Sequence, residues 1–226
     1  MIETTMRPKL IYKIGGVSLI IVGLSYLLGA ILSLMIGPAP SSAVEYLDAL
    51  AAHKLLSITN FVFFTLADIC LIPAAIALYR ILKGTNKNAM RIASGLIILF
   101  AVFDAIITEL TSFELVALSQ NLAVATSEAQ RSAIMLTANS LLSTLPAATL
   151  CSFVISSVGL LITAAVMLKG SSFSKRATLP GLTAGIAGTL GGFYIMLPVL
   201  SLLIMPSLIA MGFWGIFAGR AIQKIK

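Results

Sequence analysis

The chain has 226 residues, 59 % of them hydrophobic and only 10 % charged, with a net charge of +7 and a mean hydropathy of +1.06. A soluble domain carries about 25 % charged residues, so this composition excludes a water-covered globule and implies an integral membrane protein. The positive charge does not mark a nucleic-acid binder. The basic residues stand in small groups at the ends of apolar runs, without interleaved aromatics, and the expected partners are the bilayer and its anionic headgroups.

Barrel strands would read as short alternating segments. The runs here are long and uninterrupted, so the expected fold is an all-α, polytopic transmembrane helix bundle in a single domain over residues 1–226. The first span covers about residues 14–36 and ends at Gly37-Pro38. Arg7, Lys9 and Lys13 precede it, and Ser41-Ser42-Ala43 has the small residues of a cleavage site. The run is nonetheless longer than the ~7–15 residues of a signal-peptide core, which makes it a retained span. Ser42-Ala43-Val44-Glu45 is a capping box and predicts a short helix toward Lys54.

The second span covers about residues 55–79 and contains Asp68 and Pro73. The third covers about residues 92–118 and contains Asp104, Glu109 and Glu114, with no Lys or Arg between Ile92 and Gln130. A second capping box, Ser127-Glu128-Ala129-Gln130, opens helical character that only Pro146 interrupts before Leu168. That stretch would make ~62 Å of helix, twice the membrane core. The fourth span, residues 147–168, therefore either protrudes outward or kinks at Pro146. A short helical cap on the outer face follows.

The fifth and sixth spans, about residues 178–196 and 199–219, are separated only by the region of Pro198. Five spans with a re-entrant end is the alternative to six. Gly181, Gly185, Gly188 and Gly192 form small-residue ridges that allow close helix packing, including a helix–helix oligomer. A phosphate-binding loop would need a preceding strand and a lysine within the glycines, and neither is present.

With six spans, all but Lys54 and Arg131 of the 15 Lys and Arg residues fall on one side. By the positive-inside rule both termini are then cytoplasmic, in a multi-pass protein of the cell membrane. Cys70 and Cys151 lie in apolar runs, where a free thiol packs as a small hydrophobe. His53 is the single histidine and sits at the outer rim, which disfavours zinc. No Ser-His-Asp or Cys-His set assembles at one depth. No cofactor is expected, and an enzyme is the less favoured class.

The acids carry the functional question. Counting from Arg91 puts Asp104 ~20 Å deep, Glu109 ~27 Å and Glu114 ~34 Å. Counting back from Arg80 puts Asp68 ~18 Å deep. Asp68 and Asp104 thus share a level on consecutive helices. On an ideal α-helix Thr108 and Thr111 fall on the Asp104 stripe, whereas Glu109 points about 140° away. Thr65 shares the Asp68 face. Asp68, Asp104, Thr65, Thr108 and Thr111 are therefore the candidate proton- or ion-binding set. Glu109, Asn60 and Asn139 are candidates for an outer vestibule.

An ionised Asp at mid-membrane costs ~2.5–3.5 kcal/mol on insertion scales. A neutral acid bonded to a hydroxyl, one proton shared by two acids, or a bound cation avoids that penalty. Three readings follow. The acids glue helices in a structural or partner-binding subunit, or they handle a proton or cation in a small transporter, or they hold a hard divalent metal for catalysis.

Leu66-Ala67-Asp68-Ile69 and Ala77-Leu78-Tyr79-Arg80-Ile81-Leu82-Lys83, with Asp104 and with Pro180 after Lys175-Arg176, resemble a known pattern. It is that of the prokaryotic six-span membrane proteins catalogued as domain of unknown function 4386. Ala101, Val102 and Phe103 stand where many members would be expected to place an Arg before the third-helix acid. The resemblance implies a fold and a cell membrane and carries no established activity.

Overall fold

The computed structural model describes residues 8–37, 40 and 42–225. Arg7, Pro38, Ser41 and Lys226, which figure in the expected ends and charge balance, lie outside them. The described elements are helices: α1 Pro8–Ile36, α2 Ala43–Ala52, α3 Lys54–Phe103, a π-helical segment Asp104–Glu109, α4 Leu110–Val124, α5 Glu128–Lys169, α6 Lys175–Gly192 and α7 Ile204–Gln223. Four stretches are long and apolar enough to cross a membrane: residues 9–36, 54–124, 128–169 and 198–223.

The stretch 54–124 is not one rod. Asn86 leaves helical geometry (φ −155°, ψ 98°) and its side-chain oxygen accepts the Ala89 N–H at 3.0 Å, an N-cap in mid-chain. The chain doubles back there. Ser94 donates to the Ala75 carbonyl, Phe61 stacks edge-on to Phe113 at 5.8 Å, and Lys54 donates to Gln120. Helix persists through the expected loop at 80–91 because its Lys, Arg and Leu residues are good helix formers. The reversal is confined to Asn86.

The rods close a ring. α1 packs on the first arm of α3 and on α7, α5 packs on the second arm and on α6, and α6 packs on α7. Glycines permit the closest of these approaches. A Cβ at Gly23 would stand 2.5 Å from the Gly212 carbonyl oxygen, and one at Gly219 would stand 2.6 Å from that of Gly16. These pairings make α1 and α7 antiparallel, so the start of α1 and the end of α7 share one end of the bundle. The Asn86 reversal and the α5–α6 connection join them there, since Gly15 lies against Ala77 and Gly170 against Thr85.

At the other end is a cap with its own small core. Leu47 and Leu50 of α2 meet Leu115 and Val116 of α4 and Ala138 of α5. Ser42 and Ser127 accept the Glu45 and Gln130 N–H groups at 3.3 and 3.2 Å, closing both N-termini. α5 carries Pro146 without a non-helical residue, and its first third builds the cap. The turn near Pro198 is broader than expected, with 3-10 turns at Phe193–Ile195 and Pro198–Leu203. Gly181 faces Trp214, Gly185 faces Leu161, Gly188 faces Ser157 and Ser207, and Gly192 faces Val154. The close packing expected of this ridge is thus made within the chain, against α5 and α7.

Polarity runs from inside to outside. Ser25, Asp68, Ser94, Ser152, Ser157 and Ser207 are buried, while Leu24, Ile69, Leu99, Ile106, Leu168 and Phe213 are exposed. An exposed apolar band around a buried polar interior suits hydrocarbon surroundings. Cys70 packs against the core, whereas Cys151 stands on the outer surface of α5 and is not the buried residue expected.

Candidate functional site

Between the rods lies a partly open cavity of about 240 Å³ to which every rod contributes. α1 gives Tyr26 and Ser33, the two arms of α3 give Phe64 and Phe100, and α7 gives Ser207 and Met211. The π segment gives Asp104, Thr108 and Glu109. α5 supplies a hydroxyl face of Thr149, Ser152, Ser156 and Ser157. This is room on the order of eight waters, small for a lipid and ample for a hydrated ion.

The π segment corrects the expected direction of Glu109. In an α-helix residues five apart diverge, but a π turn bonds i to i+5 and brings them onto one side. Asp104 and Glu109 are such a pair. Glu109 is therefore not in an outer vestibule but on the same cavity wall as Asp104, and buried. The extra residue also turns Thr111 off the stripe, and its hydroxyl returns to the Ile107 carbonyl.

Asp68 is 1 % exposed on the first arm of α3, one turn beyond Phe64 and outside the cavity lining. It still acts electrostatically on the same group of side chains. The Asp68, Asp104 and Glu109 carboxyls and the Tyr26 hydroxyl lie close enough together for a charge on an acid to reach the others. Thr108 and Ser152 stand beside the Asp104 carboxyl. Among the described residues, no Lys or Arg lines the cavity. Asp68 Oδ2 and Glu109 Oε2 are buried and have no hydrogen-bond partner among the described residues.

The remaining candidates fall elsewhere. The Thr65 hydroxyl is spent on the Phe61 carbonyl at 2.9 Å. Asn139 is exposed on the cap portion of α5, and Glu114 is exposed on α4. Asn60 is buried beside a second cavity at the cap end. Among the described residues, no three His, Cys, Asp or Glu side chains converge as metal ligands. Sequence reasoning missed Tyr26 and the α5 hydroxyls. The latter carried a signal: Thr149, Ser152 and Ser156 recur at helical spacing within an apolar run.

Chemically, the site is a pair of carboxyls on one turn, a third buried nearby, neutral hydroxyl partners and a tyrosine. Such a set can hold a proton or coordinate a small cation with oxygen atoms. No curated protein and no solved structure matches this chain. The sequence model of one family, described as "Domain of unknown function (DUF4386)", matches residues 14–219. The chain is therefore a helical membrane protein belonging to the DUF4386 family.

Proposed function

We propose that the protein crosses the cell membrane six times, with its basic end and both termini at the cytoplasmic face, and is a small proton- or cation-linked transporter. The topology rests on the clustering of Lys13, Arg80, Lys83, Arg91, Lys169, Lys175 and Arg220 toward one end of the bundle. That end would also meet anionic lipid headgroups. The binding site is the Asp104–Glu109 pair, with Thr108 and Ser152 as neutral oxygen donors and Asp68 as a buried third acid.

One observation carries this reading. Two carboxyls enter one cavity from a single π turn, and no basic side chain among the described residues lines it. π segments recur at functional sites because they interrupt the regular helix ladder. The rival reading, acids as helix glue, calls for each carboxyl to be bonded across a helix interface. Asp68 and Glu109 instead each keep a buried oxygen without a partner. A site that takes up a proton or a cation satisfies those oxygens.

The test uses purified protein in liposomes loaded with a pH-sensitive dye, with sodium or potassium gradients imposed. Flux above empty liposomes is expected, and it should fall at least about tenfold in Asp104→Asn and Glu109→Gln. Flux equal in the wild type and all three of Asp104→Asn, Glu109→Gln and Asp68→Asn, with the variants folded by circular dichroism, would refute the proposal.

A further inference from the structure

The geometry points to a second polar site, at the cap end, that admits water and small hydrated cations and forms the antechamber of the acid-lined cavity. It rests on the reading of the central cavity as an ion site and adds the route of access. A second cavity of about 180 Å³ lies between the end of α1, the cap helix α2 and the start of α3. Tyr46 and Leu50 form its cap side, and Ser57, Asn60 and Phe61 form its bundle side.

Two features make it more than a packing gap. The Ser57 hydroxyl and Asn60 Oδ1 belong to its lining residues, are buried, and have no hydrogen-bond partner among the described residues. Ser57 is 1 % exposed and Asn60 is 6 % exposed. A buried polar atom left unpaired carries a desolvation penalty, which a bound water or ion relieves. An amide oxygen and a hydroxyl are neutral oxygen donors, suited to a partly hydrated monovalent cation rather than an anion.

The second feature is position. Ser33 lines both cavities, and its Oγ accepts a hydrogen bond from Asn60 Nδ2 at 3.1 Å. That bond crosses the junction between them. Rotation of the Asn60 amide away from Ser33 removes the partition without moving a helix. Beyond it lie Tyr26 and the acid pair. Any of the acids that is ionised supplies an attractive field for a cation in the antechamber, and a low-dielectric wall focuses such a field.

Thiol labelling tests this independently of transport. Cys70 and Cys151 are replaced by Ala, and Ser57→Cys, Asn60→Cys or Ser152→Cys is introduced singly in sealed vesicles. Membrane-impermeant methanethiosulfonates, one cationic and one anionic, are added to the cap side. Ser57→Cys and Asn60→Cys are expected to react, and the cationic reagent is expected to be about tenfold faster. Ser152→Cys, in the central cavity, is expected to react slowly and to accelerate about tenfold when Asn60→Ala removes the partition. The antechamber is overturned if neither Ser57→Cys nor Asn60→Cys reacts in protein whose melting matches the parent. Reaction only from the opposite side, or no preference for the cation, overturns it equally. The gate is overturned if Asn60→Ala leaves the Ser152→Cys rate unchanged. Loss of the transport reading alone would leave each labelling outcome as stated.

Discussion

Asp104 and Glu109 begin and end a single π turn, so two acids five residues apart share one cavity wall. A π segment is equivalent to an α-helix with one residue inserted. Removing one residue from within it restores the α ladder and leaves the acids as an i, i+4 pair, which an α-helix also places on one side. Deletion of Ile106, which is 56 % exposed, should therefore keep both carboxyls in the cavity. Ion flux and melting are expected to stay near wild type. Deletion of Val102, also exposed, closes the same bulge from the far side and turns Asp104 by about 100°. That variant should lose flux. Equal loss in both deletions would contradict the geometry.

The contact of α1 with α7 makes a second prediction. A Cβ at Gly23 would meet backbone, the Gly212 carbonyl oxygen and the Ile216 nitrogen, both within 2.7 Å. Backbone cannot swing aside as a flexible side chain does, so Gly23→Ala should destabilise by ~1–3 kcal/mol. Gly95 is also helical, yet nothing lies within 4 Å of a Cβ there. Gly95→Ala should stabilise by up to ~1 kcal/mol through helix propensity. Melting of the two variants in the same detergent should shift in opposite directions. A shift of the same sign would disprove the α1–α7 approach.

Asn86 makes a third. Its side chain caps the second arm of α3 through the Ala89 N–H, at the one residue where α3 reverses. Asn86→Ala should cost ~0.5–2 kcal/mol, and Asn86→Asp, which keeps an acceptor, should cost much less. Denaturation in mixed detergent micelles reads the difference. Equal losses would mean that the reversal depends on packing alone, for instance on Leu82 and Met90.

Much of this architecture is legible in the chain because its causes are local. Ser42 and Ser127 cap helices three residues before a Glu and a Gln, and both caps form. Counting puts Asp68 and Asp104 at one level, and the two carboxyls are near enough to interact electrostatically. The π turn has no such local cause. Asp104-Ala-Ile-Ile-Thr-Glu109 holds neither Gly nor Pro, so nothing in its own residues announces the bulge. A one-residue insertion rotates everything beyond it, which is why Glu109 rather than Thr111 lies beside Asp104 in the cavity wall. The glycines of α1 and α7 are scattered in sequence and become a contact only when the first and last helices meet.

The single tryptophan offers the last prediction. Trp214 is fully buried, its ring lies against Gly181, and its Nε1–H has no acceptor among the described residues. An unpaired buried donor costs about 1–3 kcal/mol, so Trp214→Phe removes that penalty while losing part of the ring's packing. The two effects oppose, and its melting should lie close to wild type. Trp214→Ala leaves a cavity between α6 and α7 and should cost ~3–5 kcal/mol. Because the chain has one Trp, its fluorescence reports this site alone. Gly181→Ala would place a Cβ 2.6 Å from the indole Cδ1, so the ring must move and the emission should shift. Unshifted emission in Gly181→Ala, with melting preserved, would show that α6 and α7 do not meet at this pair.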